Sequence, residues 1–375
     1  MTRRQTARAR ARRRFRVLLA GALAVLAVAG LGASWWGDDA PRSAASSTLT
    51  ESTPASVEWP AAGVSAAQVG VRLLRGPGAA RPVPIASVAK LMTAYVVLRD
   101  HPLSAGASGP RIVVQPSEAA AYPGQVRAGE SVVRVLPGEV LTERQALEAL
   151  LLPSADNIAW ILARWDAGSV AAFVGRMNAA ARGLGMISTH YTDPSGLAAS
   201  TTSSATDQVR LGVAAMRQPA LEQIVGMSSA VVPVAGVVQN LNRLLGVDGI
   251  VGLKTGSTSA AGGCVLLAAR AAGKLIVAAV FGQPGSPSTI LPAALRAGQQ
   301  LIAEIERRAG SASSHTDLRR RDAGRARPPT GGVPPARRFA TAQAVPVRWG
   351  ARLGQSWCRG SVARGAVVGR PRGGC

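Results

Sequence analysis

Between Ala86 and Leu98 the chain reads Ala-Ser-Val-Ala-Lys-Leu-Met-Thr-Ala-Tyr-Val-Val-Leu, apolar nearly all the way round instead of on one stripe. That pattern predicts a buried helix, with Pro82 and Pro84 just ahead of its start. Thr142-Glu143-Arg144-Gln145 has the form of a capping box, so a second helix is predicted to run on through Leu152 until Pro153 interrupts it. Helical spacing resumes from Asn157 to Trp165. Gly249 to Leu253 reads as a strand. Cys264 to Ala269 and Lys274 to Phe281 are apolar runs joined by Arg270-Ala271-Ala272-Gly273, the pattern of a strand hairpin. Leu291 to Arg308 is an amphipathic helix that closes the domain. Helices in the middle and strands toward both ends predict an α+β domain built on an antiparallel sheet, without internal repeats.

The flanks differ in kind. Val17 to Trp36 contains no charged residue, and its twenty residues at about 1.5 Å each match a hydrocarbon core of roughly 30 Å. Eight Arg precede it and Asp38 and Asp39 follow it, a bias that keeps residues 1–16 cytoplasmic and sends the remainder across the membrane. A cleaved signal peptide is the competing reading; its apolar region is normally about 7–15 residues long, and Leu31-Gly32-Ala33 makes a mediocre cleavage site. Arg12-Arg13-Arg14-Phe15-Arg16 also faintly resembles a twin-arginine export signal. Residues 37–62, rich in Ser, Thr, Pro and Ala, read as a linker, residues 63–308 as one folded domain, and residues 309–375 as a basic disordered tail.

The whole chain of 375 residues carries a net charge of +23, which on its face suggests a nucleic-acid binder. Its distribution removes that reading. Residues 1–16 hold +8 and residues 307–375 hold +13, so residues 17–306 carry only +2. Aromatics at 4% supply few rings for base stacking, and export argues further against nucleic acid. His101, His190 and His315, with Cys264, Cys358 and Cys375, show no metal-ligand spacing, so neither a zinc site nor a disulfide framework is expected in the domain.

Within the domain the informative cations are lysines, of which the chain has only Lys90, Lys254 and Lys274. Lysine, unlike arginine, can lose its proton when buried. Lys90 follows Ser87 by three residues on the predicted buried helix, a spacing that brings the two side chains together. A desolvated amine there would accept the Ser87 hydroxyl proton, while the helix start favours a developing oxyanion. Ser154, in Leu-Leu-Pro-Ser-Ala-Asp-Asn, sits at a break between helices, either as a proton relay or as a plain cap. Lys254-Thr255-Gly256 follows the predicted strand, where a cation and a hydroxyl would bind a substrate carboxylate; read blandly it is a surface turn.

Each piece is weak alone, but the order Ser87-x-x-Lys90, Ser154, Lys254-Thr255-Gly256 with spacings of 67 and 100 residues is specific. Over roughly residues 65–305 the chain resembles the D-alanyl-D-alanine carboxypeptidases, the low-molecular-weight penicillin-binding proteins. Further segments carry the likeness, among them Pro84 to Ala94, His190-Tyr191-Thr192-Asp193-Pro194-Ser195-Gly196-Leu197 and Val247 to Ser257. The resemblance implies a β-lactamase/transpeptidase-like fold, an antiparallel sheet flanked by helices with an inserted helical subdomain. It implies that Ser87 attacks the carbonyl between the two terminal D-alanines of a peptidoglycan stem peptide, with Lys90 as base. Ser154 would pass the proton to the departing D-alanine, and Lys254 with Thr255 would hold its carboxylate. The backbone N–H groups of Ser87 and Ser257, the residue after Gly256, would form the oxyanion hole. β-Lactams would be covalent inhibitors, and no cofactor or metal is required.

One departure stands out. The family's second motif is Ser-x-Asn, whereas this chain has Ser154-Ala155-Asp156, with Asn157 one place later. A carboxylate only accepts hydrogen bonds. Either Asp156 pairs with Lys90 and raises its pKa, or Asn157 rotates into the role. The departure leaves a catalytically weak or inactive wall protein as one alternative. A serine β-lactamase is the other, but its added Glu-x-x-Leu-Asn segment is missing, since Glu222 is the only Glu between Ser154 and Lys254.

Overall fold

The computed structural model of the chain describes residues 57–323, with side chains through Arg308. The expected membrane segment at residues 17–36 and the tail beyond Ala323 lie outside the described residues. Eleven strands appear in chain order: β1 Val64–Val69, β2 Arg72–Arg75, β3 Val83–Pro84, β4 Arg111–Val113, β5 Val140–Thr142, β6 Thr202–Ser203, β7 Ser229–Val232, β8 Gly236–Gln239, β9 Ile250–Thr258, β10 Gly262–Ala271 and β11 Lys274–Gln283. The α-helices are α1 Lys90–Asp100, α2 Pro116–Arg127, α3 Glu143–Leu151, α4 Asp156–Ala167, α5 Val170–Gly183, α6 Ala205–Ala215, α7 Pro219–Val225 and α8 Ile290–Ala323.

Five strands form the main antiparallel sheet in the order β2-β1-β11-β10-β9, so β9 is an edge. The apolar runs of β10 and β11 lack polar alternation because both faces of the sheet are covered. Val265, Leu267, Ile276, Ala278 and Val280 pack with Ala294, Leu301, Ile302 and Ile305 of α8. Leu266, Ala268, Val277, Ala279 and Phe281 join the larger core on the opposite face, with α1 and α6. The expected α+β antiparallel architecture is the one observed.

The helical segments start where the sequence gives them caps. Thr142 accepts from the Gln145 backbone at 3.2 Å and Gln145 returns the bond at 3.0 Å, completing the capping box of α3. Ser169 and Ser204 cap α5 and α6 in the same way, at 3.2 and 3.1 Å. Helix α1 is buried all round, with Leu91, Met92, Ala94, Val96 and Val97 shielded from solvent, as its composition predicts.

Four boundaries move. The predicted helix from Ala86 begins as a 3-10 turn, Ala86–Ala89, and becomes α-helical only at Lys90. The predicted strand Gly249–Leu253 continues through Lys254, Thr255 and Gly256 to Thr258, because β10 pairs with it along that whole length. The folded domain begins before residue 63: Val57 and Trp59 pack on the α8 side of the sheet, and Gln283 Nε2 donates to the Ala62 carbonyl at 2.7 Å. At the other end, α8 runs beyond residue 308 to Ala323. Among the described residues no single helix is long and apolar enough to cross a membrane.

Candidate active site

The sequence-predicted residues converge where the N-terminus of α1, the start of α4 and the edge strand β9 meet. Lys90 is fully buried, and its Nζ lies 2.7 Å from Ser87 Oγ, 2.7 Å from Asp156 Oδ1 and 3.0 Å from the Ser195 carbonyl. A neutral amine has two N–H donors and one lone pair. An ammonium's three donors match the contacts as they stand, one carboxylate, one carbonyl and one hydroxyl, and after loss of a proton the lone pair is free to accept from Ser87 Oγ. Burial lowers the Lys90 pKa, and this outweighs the opposing pull of Asp156, so the amine titrates below its ordinary 10.5.

The second motif resolves the choice between Asp156 and Asn157. Asp156 occupies the position beside Lys90, and its other oxygen accepts from the Ser131 backbone N–H at 3.1 Å. Asn157, a candidate for contact with substrate, is turned away: its side chain accepts from Val133 N at 3.2 Å and donates to Val133 O at 2.8 Å. Helical geometry explains this, because successive residues at the start of α4 point about 100° apart. Ser154, just before α4, has φ +67°, an uncommon conformation for a residue with a side chain, and its buried Oγ has no hydrogen-bond partner among the described residues. A buried hydroxyl without a partner is costly unless something else fills the role.

Lys254 and Thr255 are both buried within β9, the amine donating to the Thr255 carbonyl at 3.0 Å. Burial, reinforced by the Lys90 charge, drives the Lys254 pKa well below 10.5. Gly256 lies against the 3-10 turn so closely that a Cβ would stand 2.8 Å from the Ser87 backbone N. Ser257, next along the strand, is exposed. Ala86, immediately before Ser87, also has a positive φ, +47°. Strain therefore sits immediately before Ser87 and at Ser154 itself.

Two groups at the site carry no side-chain signature. The Ser195 carbonyl is aimed at Lys90 by a loop that Asp193 ties together, accepting from Ser195 Oγ at 2.8 Å and from Leu197 N at 2.9 Å. Gly196 in that loop has φ +80°, and a Cβ there would collide with the Ala86 carbonyl at 1.9 Å. The Ser131 N–H is the other. Glu222 takes no part: its carboxylate pairs with Arg270 at the β10–β11 hairpin.

Residues 68–285 match the D-alanyl-D-alanine carboxypeptidase family. Among similar proteins, a D-alanyl-D-alanine endopeptidase of Pseudomonas aeruginosa is 39% identical over 141 residues, 38% of this chain and 42% of the relative. D-alanyl-D-alanine carboxypeptidase DacB2 of Mycobacterium tuberculosis is 35% identical over 215 residues, 55% of this chain and 69% of the relative. A solved D-alanyl-D-alanine carboxypeptidase from Mycobacterium tuberculosis superposes with a TM-score of 0.57 at 31% identity, covering 66% of this chain and 93% of the other. The Streptomyces K15 DD-transpeptidase gives a TM-score of 0.57 at 25% identity, covering 66% and 98%. The chain belongs to the D-alanyl-D-alanine carboxypeptidase family of low-molecular-weight penicillin-binding proteins.

Proposed function

We propose that the chain is a serine-type D-alanyl-D-alanine carboxypeptidase that removes the terminal D-alanine of peptidoglycan stem peptides. The single observation that carries this reading is the contact of 2.7 Å between Ser87 Oγ and a fully buried lysine amine whose pKa burial lowers. The hydroxyl proton passes to Lys90 as Ser87 Oγ attacks the carbonyl, and the N–H groups of Ser87 and Ser257 receive the oxyanion. Ser154, with its free hydroxyl, carries the proton to the departing amine, and Lys254 with Thr255 holds the terminal carboxylate. Water then releases the shortened peptide and restores Ser87. β-Lactams enter the same cycle as slowly released acylating agents.

The uncharged run at residues 17–36, with the charge bias around it, supports placing this domain outside the cytoplasm on a single anchor, or free of it if that segment is cleaved. The activity is tested by D-alanine release from an acylated peptide ending in D-Ala-D-Ala. Wild type is expected to release one equivalent per peptide and Ser87→Ala none. Equal background release by both proteins would remove the carboxypeptidase assignment.

A further inference from the structure

Helix α4 starts without a side-chain cap, since the residue ahead of it is Ala155. The segment 131–133 takes that place. Asp156 N donates to the Ser131 carbonyl at 2.6 Å and Asp156 Oδ2 accepts from Ser131 N at 3.1 Å. One residue on, the Asn157 side chain accepts from Val133 N at 3.2 Å and donates to Val133 O at 2.8 Å. Residues two apart in an extended segment present their N–H and C=O groups to the same side, so Asp156 and Asn157 together stand where a neighbouring strand would. Ahead of Ser131 the chain is fixed by the end of α2, where Gly129 N donates to Val126 O at 3.0 Å and Glu130 N to Gln125 O at 3.1 Å. Ser131 is itself exposed, so what holds its N–H on Asp156 is these two flanking anchors.

That N–H matters because Asp156 Oδ1 meets Lys90 Nζ at 2.7 Å. A carboxylate that gives one oxygen to a backbone donor is fixed in rotation and draws less on the ammonium at its other oxygen; released from Ser131 it can turn both oxygens to Lys90. Resting on the reading of Lys90 as base, we infer that Asn157 is a positioning residue: by locking Val133 to α4 it keeps the Ser131 N–H on Asp156 and limits how firmly that carboxylate retains the Lys90 proton. The charged groups around Lys90 are Asp156 from α4, Asp193 from the loop that presents Ser195, Glu130 from the segment beside α4 and Lys254 from β9. Among these only Asp156 contacts the amine.

The test is the pH dependence of penicillin acylation of the full chain, followed by intact mass. Asn157→Ala removes both bonds to Val133, while burial of Val133 and Val135 in the core keeps the segment seated. The midpoint is expected to rise by about half to one pH unit, slowing acylation below it roughly 3- to 10-fold, with the plateau at high pH close to wild type. Ser131→Pro, which deletes the donor and leaves Asn157 untouched, should raise the midpoint in the same direction. In an Asp156→Asn background Asn157→Ala should leave the midpoint where it is, because the coupling runs through the carboxylate. An unmoved or lowered midpoint in both single variants, a loss confined to the plateau, or an equal shift in the Asp156→Asn background would overturn the positioning role and leave Lys90 as base. Failure of wild type to be acylated at any pH would overturn both.

Discussion

Helices α1 and α4 are joined by charge at both ends, and the two ends are built differently. At their N-termini Lys90 meets Asp156 at 2.7 Å. At their C-termini, roughly 16 Å along α1, His101 Nε2 lies 3.0 Å from Asp166, and Arg176 bridges Asp166 and Asp100 at 2.9 Å each. In the first cluster every charged group has a partner, and the atom left over is the Ser154 hydroxyl. In the second, His101 Nε2 and Asp166 Oδ1 approach without hydrogen-bond geometry, and both carboxylate oxygens of Glu143, which is fully buried and feels the Asp166 charge, have no partner among the described residues. Burial and that charge push Glu143 up to about 7. At the cleft the buried Lys90 and Asp156 offset each other, whereas at the far end Asp166 is ion-paired and Glu143 is left as a cost of packing.

The largest effect should come from removing the amine while keeping its bulk. Lys90→Met is expected to lower D-alanine release by about 10²- to 10⁴-fold, the usual contribution of a positioned general base. Near-wild-type activity in a variant folded by circular dichroism would transfer the role of base to another group.

Gly256→Ala comes next. A methyl there must displace the Ser87 backbone N from 2.8 Å, so acylation by a penicillin should slow by at least about tenfold as the oxyanion geometry shifts. Unchanged acylation would show that the turn before α1 yields without consequence.

Asp156→Asn removes the charge that opposes deprotonation of Lys90 and returns a donor to the cleft. Acylation at pH 7 should rise, roughly tenfold per pKa unit gained. A fall would mean that the carboxylate serves the reaction in a way its pairing with Lys90 does not reveal.

The smallest effect belongs to the far end and appears in stability. Between pH 4.5 and about 7 folded Glu143 keeps a proton that the unfolded chain has released, so stability falls as pH rises through that window and stays low above it. Glu143→Gln should therefore stabilise the protein by roughly 1–3 kcal/mol at pH 8 and hardly at all at pH 4, measured by urea unfolding. A pH-independent difference would show that Glu143 is relieved by water or by a neighbour.

The reach of the sequence follows the same division. Ser87-x-x-Lys90 was legible because both residues lie on one turn and their chemistry is in their side chains. The apolar hairpin of β10 and β11 was legible because burial on two faces leaves an uninterrupted run. The carbonyl of Ser195 and the N–H of Ser131 were not, since any residue supplies them and only the fold brings them to Lys90 and Asp156. Strand β9 was cut short at Leu253 because Lys254, Thr255 and Gly256 read as a break, whereas pairing to β10 carries the backbone through them. Helix α2 escaped notice because it buries no residue completely and contains Pro123, so neither periodicity nor propensity marks it. Asp156 and Asn157 could not be told apart without knowing which way α4 faces.

The central claim is that burial outweighs the Asp156 charge and leaves Lys90 able to take the Ser87 proton. The most direct test is the pH dependence of the rate at which a penicillin acylates Ser87 in the wild-type protein, followed by intact mass. The rate should rise with pH and level off at a midpoint clearly below 10.5. A rate that keeps rising to a midpoint at 10.5, the value of an ordinary solvated lysine, would contradict the account.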